Sequence, residues 1–237
     1  MKTIKLLPAS AALIAIALIA GCKKNKETRS DCHIVAITST TGESYYLTYN
    51  KDGKLASDSS GNSVTTFVYS GSTVTGTTNM SGAFSSKTII TLNSNGLASN
   101  VRTEYNAAGT NWGNALYEYS GTEVVKVTNT SSSGGSPTLS TIAWSNGNPT
   151  SITSGSSTSI LDYYTDKAFQ KGDYLYLAQL TLGYTIYTSK NLLKSIVSGS
   201  TLTTVTYSFD SDGKINMMTV SSGSNATTVL VYQYQCN

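Results

Sequence analysis

The chain predicts an all-β fold: a single large antiparallel meander of roughly 14 to 17 strands, curved or closed like a barrel, with one short helical or irregular insertion. Three observations carry that expectation. Turn signals recur at roughly the 8 to 12 residue spacing of a meander. The stretches between them are rich in Tyr, Thr, Val and Ile, which suit a pleated surface. A cysteine stands near each end of the stretch 32–237, at Cys32 and Cys236.

The first element lies outside that fold. Lys2 and Lys5 precede an apolar run from Ala11 to Ile19, which Ala20, Gly21 and Cys22 close. A positive start, an apolar core of about 7 to 15 residues and small residues at the cleavage point make a secretory signal. The thiol directly after Ala20-Gly21 marks lipoprotein processing. Residues 1–21 are therefore expected to be a signal peptide and Cys22 the acylated first residue of the mature chain, with palmitate among its acyl groups. Residues 22–31 are the tether and 32–237 the β domain. The uninterrupted apolar core is about half of the roughly 20 residues that a spanning helix needs. Because no aspartate follows Cys22, the expected address is the outer membrane, with the leaflet open. The membrane, reached through the N-terminal lipid, is the first expected partner.

Loss of Lys2 and Lys5 reduces the 16 basic residues to 14 against 13 acidic. Lys23, Lys24, Lys26 and Arg29 hold most of the remaining excess in the tether, so the basic pI says little about the domain and nucleic acid is not an expected partner. With Cys22 given to lipid, Cys32 and Cys236 are the only thiols left. In an oxidising compartment such a pair is expected to form a disulfide, which would bring the first and last strands together.

Along the domain, the hairpin tips come in two forms. The longer is Tyr49-Asn50-Lys51-Asp52-Gly53-Lys54-Leu55, echoed at Leu92 to Leu97 and at Phe209 to Ile215. The shorter is Tyr69-Ser70-Gly71-Ser72-Thr73-Val74, echoed at Tyr119 to Val124. Asp-Gly and Asn-Gly favour such tips because Gly takes positive φ freely and Asn or Asp tolerates it. Between tips lie strand-like runs such as Tyr45 to Tyr49, Thr65 to Tyr69, Lys87 to Leu92, Leu116 to Tyr119, Ile160 to Tyr164, Thr201 to Phe209 and Thr227 to Tyr234. Both alternating faces mix polar and apolar residues, where a sheet with one dry face would alternate cleanly. Roughly three residues in ten are Ser or Thr. The rhythm breaks at Tyr174 to Leu182, where Asp173 is placed to cap a short helix and Gly183 to follow it, as a plug or flank.

Chemistry is sparse. His33, the only histidine, has no nucleophile or carboxylate tied to it, and the Cys and His needed for a zinc site are missing. Asp210-Ser211-Asp212-Gly213 fails the calcium-loop register, since Ser208 and Thr219 fall where acidic ligands are required. No catalytic set, metal site or cofactor motif is readable. Asp162, Glu118 and Glu104 are the strand carboxylates that a glycan hydrolase would need as a pair. Trp112 and Trp144, each beside a turn, are candidate platforms for a sugar ring.

The lipobox, the Tyr49 to Leu55 tip, Leu182-Gly183-Tyr184 leading to Ser189-Lys190-Asn191-Leu192, the stretch Tyr207 to Gly213 and the ending Tyr232-Gln233-Tyr234-Gln235-Cys236 together resemble an uncharacterised family of Bacteroidota lipoproteins whose domain is described as porin-like. The resemblance covers nearly the whole mature chain and implies fold and address; that family has no established activity. Tips such as Tyr49-Asn50-Lys51-Asp52-Gly53-Lys54-Leu55 are also similar to the tyrosine-aspartate repeats of large bacterial shell proteins, but the spacing differs and the regular repeat is absent. The expectation is a non-enzymatic ligand-binding or structural module at the envelope, with a glycan or small apolar ligand as partner. A hydrolase and an outer-membrane pore are the alternatives.

Overall fold

The computed structural model describes residues 32–42, 44–223 and 226–236, so the signal peptide, Cys22 and the tether fall outside the described residues. Sixteen strands and one helix form in the order β1 (Cys32–Ser39), β2 (Ser44–Tyr49), β3 (Leu55–Ser60), β4 (Ser63–Ser70), β5 (Thr73–Met80), β6 (Ala83–Leu92), β7 (Ala98–Glu104), β8 (Trp112–Ser120), β9 (Glu123–Ser131), β10 (Thr138–Ser145), β11 (Asn148–Ser154), β12 (Ser157–Ala168), α1 (Tyr174–Leu180), β13 (Asn191–Ser198), β14 (Thr201–Phe209), β15 (Ile215–Ser222) and β16 (Ala226–Cys236). Each strand pairs antiparallel with its neighbours in sequence, and β16 returns to pair with β1. The sheet is a closed barrel, which leaves no strand edge exposed.

The seam carries the expected disulfide. Cys32 and Cys236 are register partners on β1 and β16 and are bonded to each other. Cys32 and Cys236, the long tips and the β12–β13 connection lie at this same end of the barrel, because an up-and-down meander sends every second connection to one side. We call it the disulfide end, and the other the open end.

The long tips form as the sequence predicts, through side-chain capping. Asn50 Oδ1 accepts from the backbone N–H groups of Asp52 and Lys54 at 3.0 Å each. Asp210 Oδ1 does the same for Asp212 and Lys214, at 3.0 and 2.8 Å. Gly53 and Gly213 sit at φ 72° and 78°, a region that a side chain enters only with strain. Register slips just before several of these tips, between Thr48 and Tyr49, Thr91 and Leu92, Glu118 and Tyr119, and Ser208 and Phe209. Such bulges bend a strand and leave ladder groups unpaired. Tyrosine hydroxyls near this end donate to backbone carbonyls: Tyr49 to Ile34 at 2.8 Å, Tyr119 to Ala98 at 2.6 Å and Tyr234 to Ile215 at 2.8 Å. Tyrosine richness at this end is therefore hydrogen-bonding chemistry as well as packing.

The insertion is helical over Tyr174–Leu180, two residues shorter than its apolar run suggests. Asp173 caps it, with Oδ1 accepting from Leu175 N–H at 3.0 Å. The helix stops because Leu182 and Gly183 turn back to the carbonyls of Gln179 and Leu180. Gly183 adopts φ +72°, and a Cβ there would stand 2.5 Å from the Phe67 ring. The turn thus needs glycine twice over, for its backbone and for its neighbour.

Candidate functional site

Cross-strand partners share one face of a sheet, so the register sorts every strand residue into lumen or outer wall. One lumen row runs Leu47, Asp58, Thr65, Thr78, Ser86 across β2 to β6. Another runs Phe67, Gly76, Thr88, Thr103, Gly113, Ser131 across β4 to β9. Along several strands, such as β4 to β6 and β14 to β15, the apolar lumen residues lie toward the disulfide end and the hydroxyl residues toward the open end. The larger buried cluster includes Ile34, Ile37, Leu47, Leu55, Leu161, Leu192, Leu193, Val205, Ile215, Met218 and Tyr232, with the helix packed against it. A smaller one, Val74, Ile90, Ala98 and Val101, takes Tyr184 from the segment that follows the helix.

Residues 169–190 cross the lumen as a plug. They start at the seam, where Tyr234 Oη donates to the Lys171 carbonyl at 3.3 Å. On the far wall, Tyr69 Oη donates to the Gly183 carbonyl at 3.3 Å, Ala98 N–H to Thr185 at 2.9 Å and Tyr119 Oη to Ile186 at 3.0 Å. The exit is fixed by Asn148, whose Oδ1 accepts from the N–H groups of Lys190 and Asn191 at 2.9 Å each. Gln179 holds the plug to itself: its Oε1 accepts from Ile186 and Tyr187 N–H, and its Nε2 donates to the Leu175 and Tyr187 carbonyls.

Asp173 is the anchor. It is fully buried, and besides capping the helix its Oδ2 accepts from Leu193 N–H at 3.0 Å and from Tyr207 Oη at 2.8 Å. Burial raises its carboxyl above the ordinary value, and these hydrogen bonds act in the opposite direction. Tyr187, also buried close by, is pushed up to about 12 by desolvation and by the Asp173 charge. Tyr163 points into the same region with a buried hydroxyl that has no partner among the described residues.

Between the helix and the wall of β1, β2 and β16 a cavity of about 320 Å³ remains, lined by Ile37, Ser39, Tyr45, Ala178, Thr228 and Leu230 among others. Ser39 and Leu230 are register partners, as are Ile37 and Tyr45, which confirms that this wall faces the lumen. Toward the open end, lumen hydroxyls pair across strands: Thr65 with Thr78 at 2.9 Å, Ser140 with Ser154 at 3.0 Å, Ser159 with Ser198 at 2.5 Å and Thr203 with Ser222 at 3.1 Å. These residues are partly or fully exposed, so that half of the lumen is wet.

Asp58 is the carboxylate on this lumen wall. Its register partners Leu47 and Thr65 both face inward, and its Oδ1 is out of water with no hydrogen-bond partner. Desolvation raises its carboxyl from 3.8 to about 6. It stands with Tyr69 and Tyr176 around Tyr49, since the charges of all three push the Tyr49 phenol up in addition to burial. The sequence points to none of this, because an aspartate in a Ser-rich run looks solvated until register turns it inward.

The residues singled out from sequence are dispersed. Trp112 faces outward, opposite Glu104 in register, with the Arg102 guanidinium 4.6 Å from its ring centre. Trp144 faces inward, its Nε1 donating to the Val124 carbonyl at 2.8 Å and its ring meeting the edge of Tyr187 at 5.7 Å. The two do not share a site. Glu118 pairs with Lys126 at 2.7 Å, Asp162 with Lys194 at 3.0 Å and Glu104 with Arg102 at 3.1 Å. Glu118 lies four strands from Asp162, roughly 19 Å along the wall, and six residues from the level of Glu104, roughly 20 Å. That spacing is too wide for a carboxylate pair about a glycosidic bond. His33 stacks on Tyr49 at 4.4 Å beside the Gly53 tip. No group of three or more His, Cys, Asp or Glu able to hold a metal occurs among the described residues.

No protein-family model matches the chain, and no curated protein matches it. Solved structures do. A porin-like protein from Bacteroides uniformis superposes with a TM-score of 0.64 at 16% identity, covering 85% of this chain and 98% of its own. A porin-like protein from Bacteroides vulgatus gives 0.59 at 15% identity, with the same coverage. At such identities the likeness is one of fold: a closed antiparallel barrel.

Proposed function

We propose that this protein is an envelope lipoprotein, held through Cys22, whose barrel receives a small ligand in the wet half of its lumen. One observation carries the reading. The segment 169–190 fills the lumen at the disulfide end through side-chain and backbone hydrogen bonds on opposite walls, while the cavity beside the helix and the hydroxyl-lined half beyond it stay open. A filled end and a lined open end make a cup. Pockets that bind small molecules combine apolar walls with a few placed polar groups, and Leu230, Ile37, Tyr45, Ser39 and Thr228 supply that mixture.

The pore is the second reading. The outward residues Ile160, Val197 and Leu202 are successive register partners, 51%, 40% and 48% exposed, and form an apolar strip. Against it stand the outward ion pairs Lys126–Glu118 and Lys194–Asp162, because a lysine facing mid-bilayer lipid costs about 2–4 kcal/mol. Strands β2 and β3 have only six residues each, short of the roughly 9 to 11 that cross a bilayer.

The test has two arms. Residues 23–237, exported behind a cleavable signal without the cysteine, are expected in the detergent-free soluble fraction, and a thermal-shift screen against neutral sugars and small apolar compounds is expected to find a ligand whose effect Ala178→Trp removes by filling the cavity. Recovery only in detergent, with ion conductance across planar bilayers, would replace the cup with the pore.

A further inference from the structure

We propose that the lumen is selective for a ligand carrying a protonated primary amine beside hydroxyl groups, of the amino-sugar class, with Asp58 as counter-ion. The inference rests on the cup reading and names what the cup holds.

The argument begins with an unmet need. A carboxylate oxygen that is out of water and without a donor is costly to leave so, and Asp58 Oδ1 is in that state. No ion pair among the described residues involves Asp58. Its lumen neighbours in register are Leu47, which is buried and apolar, and Thr65, whose hydroxyl is engaged with Thr78. The wall therefore supplies Asp58 with no donor, and its second oxygen, Oδ2, which is not shut off from water and has no partner among the described residues, is the atom open to whatever enters. An ammonium supplies both charge and several N–H donors to such an oxygen.

The surroundings suit the same group. Tyr49 of β2, Tyr69 of β4 and Tyr176 of the helix gather with Asp58, and tyrosine faces attract cations. One of them already does so: the Lys54 ammonium lies 5.1 Å from the centre of the Tyr69 ring. Tyr45, which lines the cavity, lies on the same inward face of β2 as Leu47, the register partner of Asp58. Beyond this aromatic and acidic corner, the hydroxyl pairs of the open half offer donors and acceptors to a polyhydroxylated body. A neutral sugar would use those pairs and leave Asp58 unsatisfied, whereas an amine-bearing one answers both. The titrating groups that face this corner are Asp58, Tyr49, Tyr69 and Tyr176, with Lys54 reaching in at the tip; burial raises the Tyr49 and Tyr69 phenols above their ordinary value, and Asp58 is the acid of the group.

Calorimetry on the full chain with glucosamine and with glucose at pH 7.5 tests the assignment. Glucosamine is expected to bind about tenfold tighter or more, the factor that one charge-assisted hydrogen bond carries. Asp58→Asn, which keeps the shape, is expected to bring glucosamine down to the glucose level, and lowering the pH to 4.5 is expected to shrink the preference in the native chain but not in the variant. Equal binding of the two sugars, lost together in Ala178→Trp, would overturn the amine assignment and leave the cup. A preference that survives Asp58→Asn undiminished would overturn the role of Asp58 and place the counter-ion elsewhere in the lumen. Binding of neither sugar would overturn both the assignment and its premise.

Discussion

The two ends of one barrel solve the same problem differently. At the disulfide end, lumen positions are filled by Leu, Ile, Met and Tyr and by the crossing segment, and the buried polar groups Asp173 and Gln179 are fully partnered. At the open end, the equivalent positions on the same strands carry Ser, Thr, Gly and Asn that reach water. A sheet with one hydrogen-bonding scheme throughout thus has a dry, cross-braced half and a wet, lined half. Packing and the lining that we propose to receive a ligand are separated along the barrel axis, so substitutions should differ more by height than by strand.

The largest expected effect falls at the seam. Cys32 and Cys236 join the first and last strands across a separation of 204 residues. In the chain-entropy model, closing a loop of that size stabilises by roughly 5 kcal/mol, and measured values are commonly about 2–4. Reduction, or Cys32→Ser with Cys236→Ser, should lower the denaturant midpoint and steepen the slope, because the unlinked unfolded chain exposes more surface, and a loss below about 1 kcal/mol would show that the β1–β16 ladder closes the barrel unaided.

Asp173→Ala comes next. It strips acceptors from Leu175 N–H, Leu193 N–H and Tyr207 Oη in a buried site, for about 3 kcal/mol from one cap and the buried donors left unmet. The crossing segment should loosen first, seen as faster amide exchange at Ile186 and Tyr187 than in the strands. If exchange quickens uniformly instead, the plug and barrel unfold as one unit and the height rule fails.

Much of the braced half is legible in the sequence. Asn50, Asp210 and their glycines announce tips through turn chemistry, Asp173 and Gly183 bracket the helix, and the cysteine pair follows from compartment and count. The lumen is not legible, for a physical reason. With period two, a one-residue change of register exchanges the faces of a strand, and with Ser and Thr on both faces no hydrophobic alternation reveals which is inside. Asp58 and Asp162 look alike in sequence; register turns the first inward beside Tyr49 and the second outward to Lys194. Trp112 and Trp144 divide in the same way. Asn148 and Gln179 matter through backbone groups remote in sequence, which no local motif encodes.

Asp58 should break the rule that polar groups in the lumen are harmless. Its carboxyl is raised from 3.8 to about 6 in the folded chain, so the folded state favours the proton and ionisation of Asp58 opposes folding. The sign follows: stability from this group is highest below about pH 4 and falls as pH rises through 6. A shift of that size corresponds to about 3 kcal/mol, cut to roughly 1–2 because the side chain is partly reached by water and its field is screened. Asp58→Asn should therefore stabilise the protein near pH 8 and leave it unchanged near pH 3.5, in paired denaturation curves. A variant that destabilises at pH 8 would mean that the ionised carboxylate has a favourable partner and is not held open.

The smallest effect is expected where hydroxyls pair in the wet half. Ser140 and Ser154 are register partners 3.0 Å apart and exposed to solvent. Water replaces either partner when one is removed, so Ser140→Ala should change stability by no more than about 0.5 kcal/mol, as for other surface substitutions. That near-zero value would be informative beside the Asp173→Ala loss: Asp173 is a buried carboxylate with three donors, and Ser140 an exposed hydroxyl with one partner that water can replace. A loss above about 1.5 kcal/mol at Ser140 would make the hydroxyl pairs structural and take away the reason to regard them as a lining left free for a ligand.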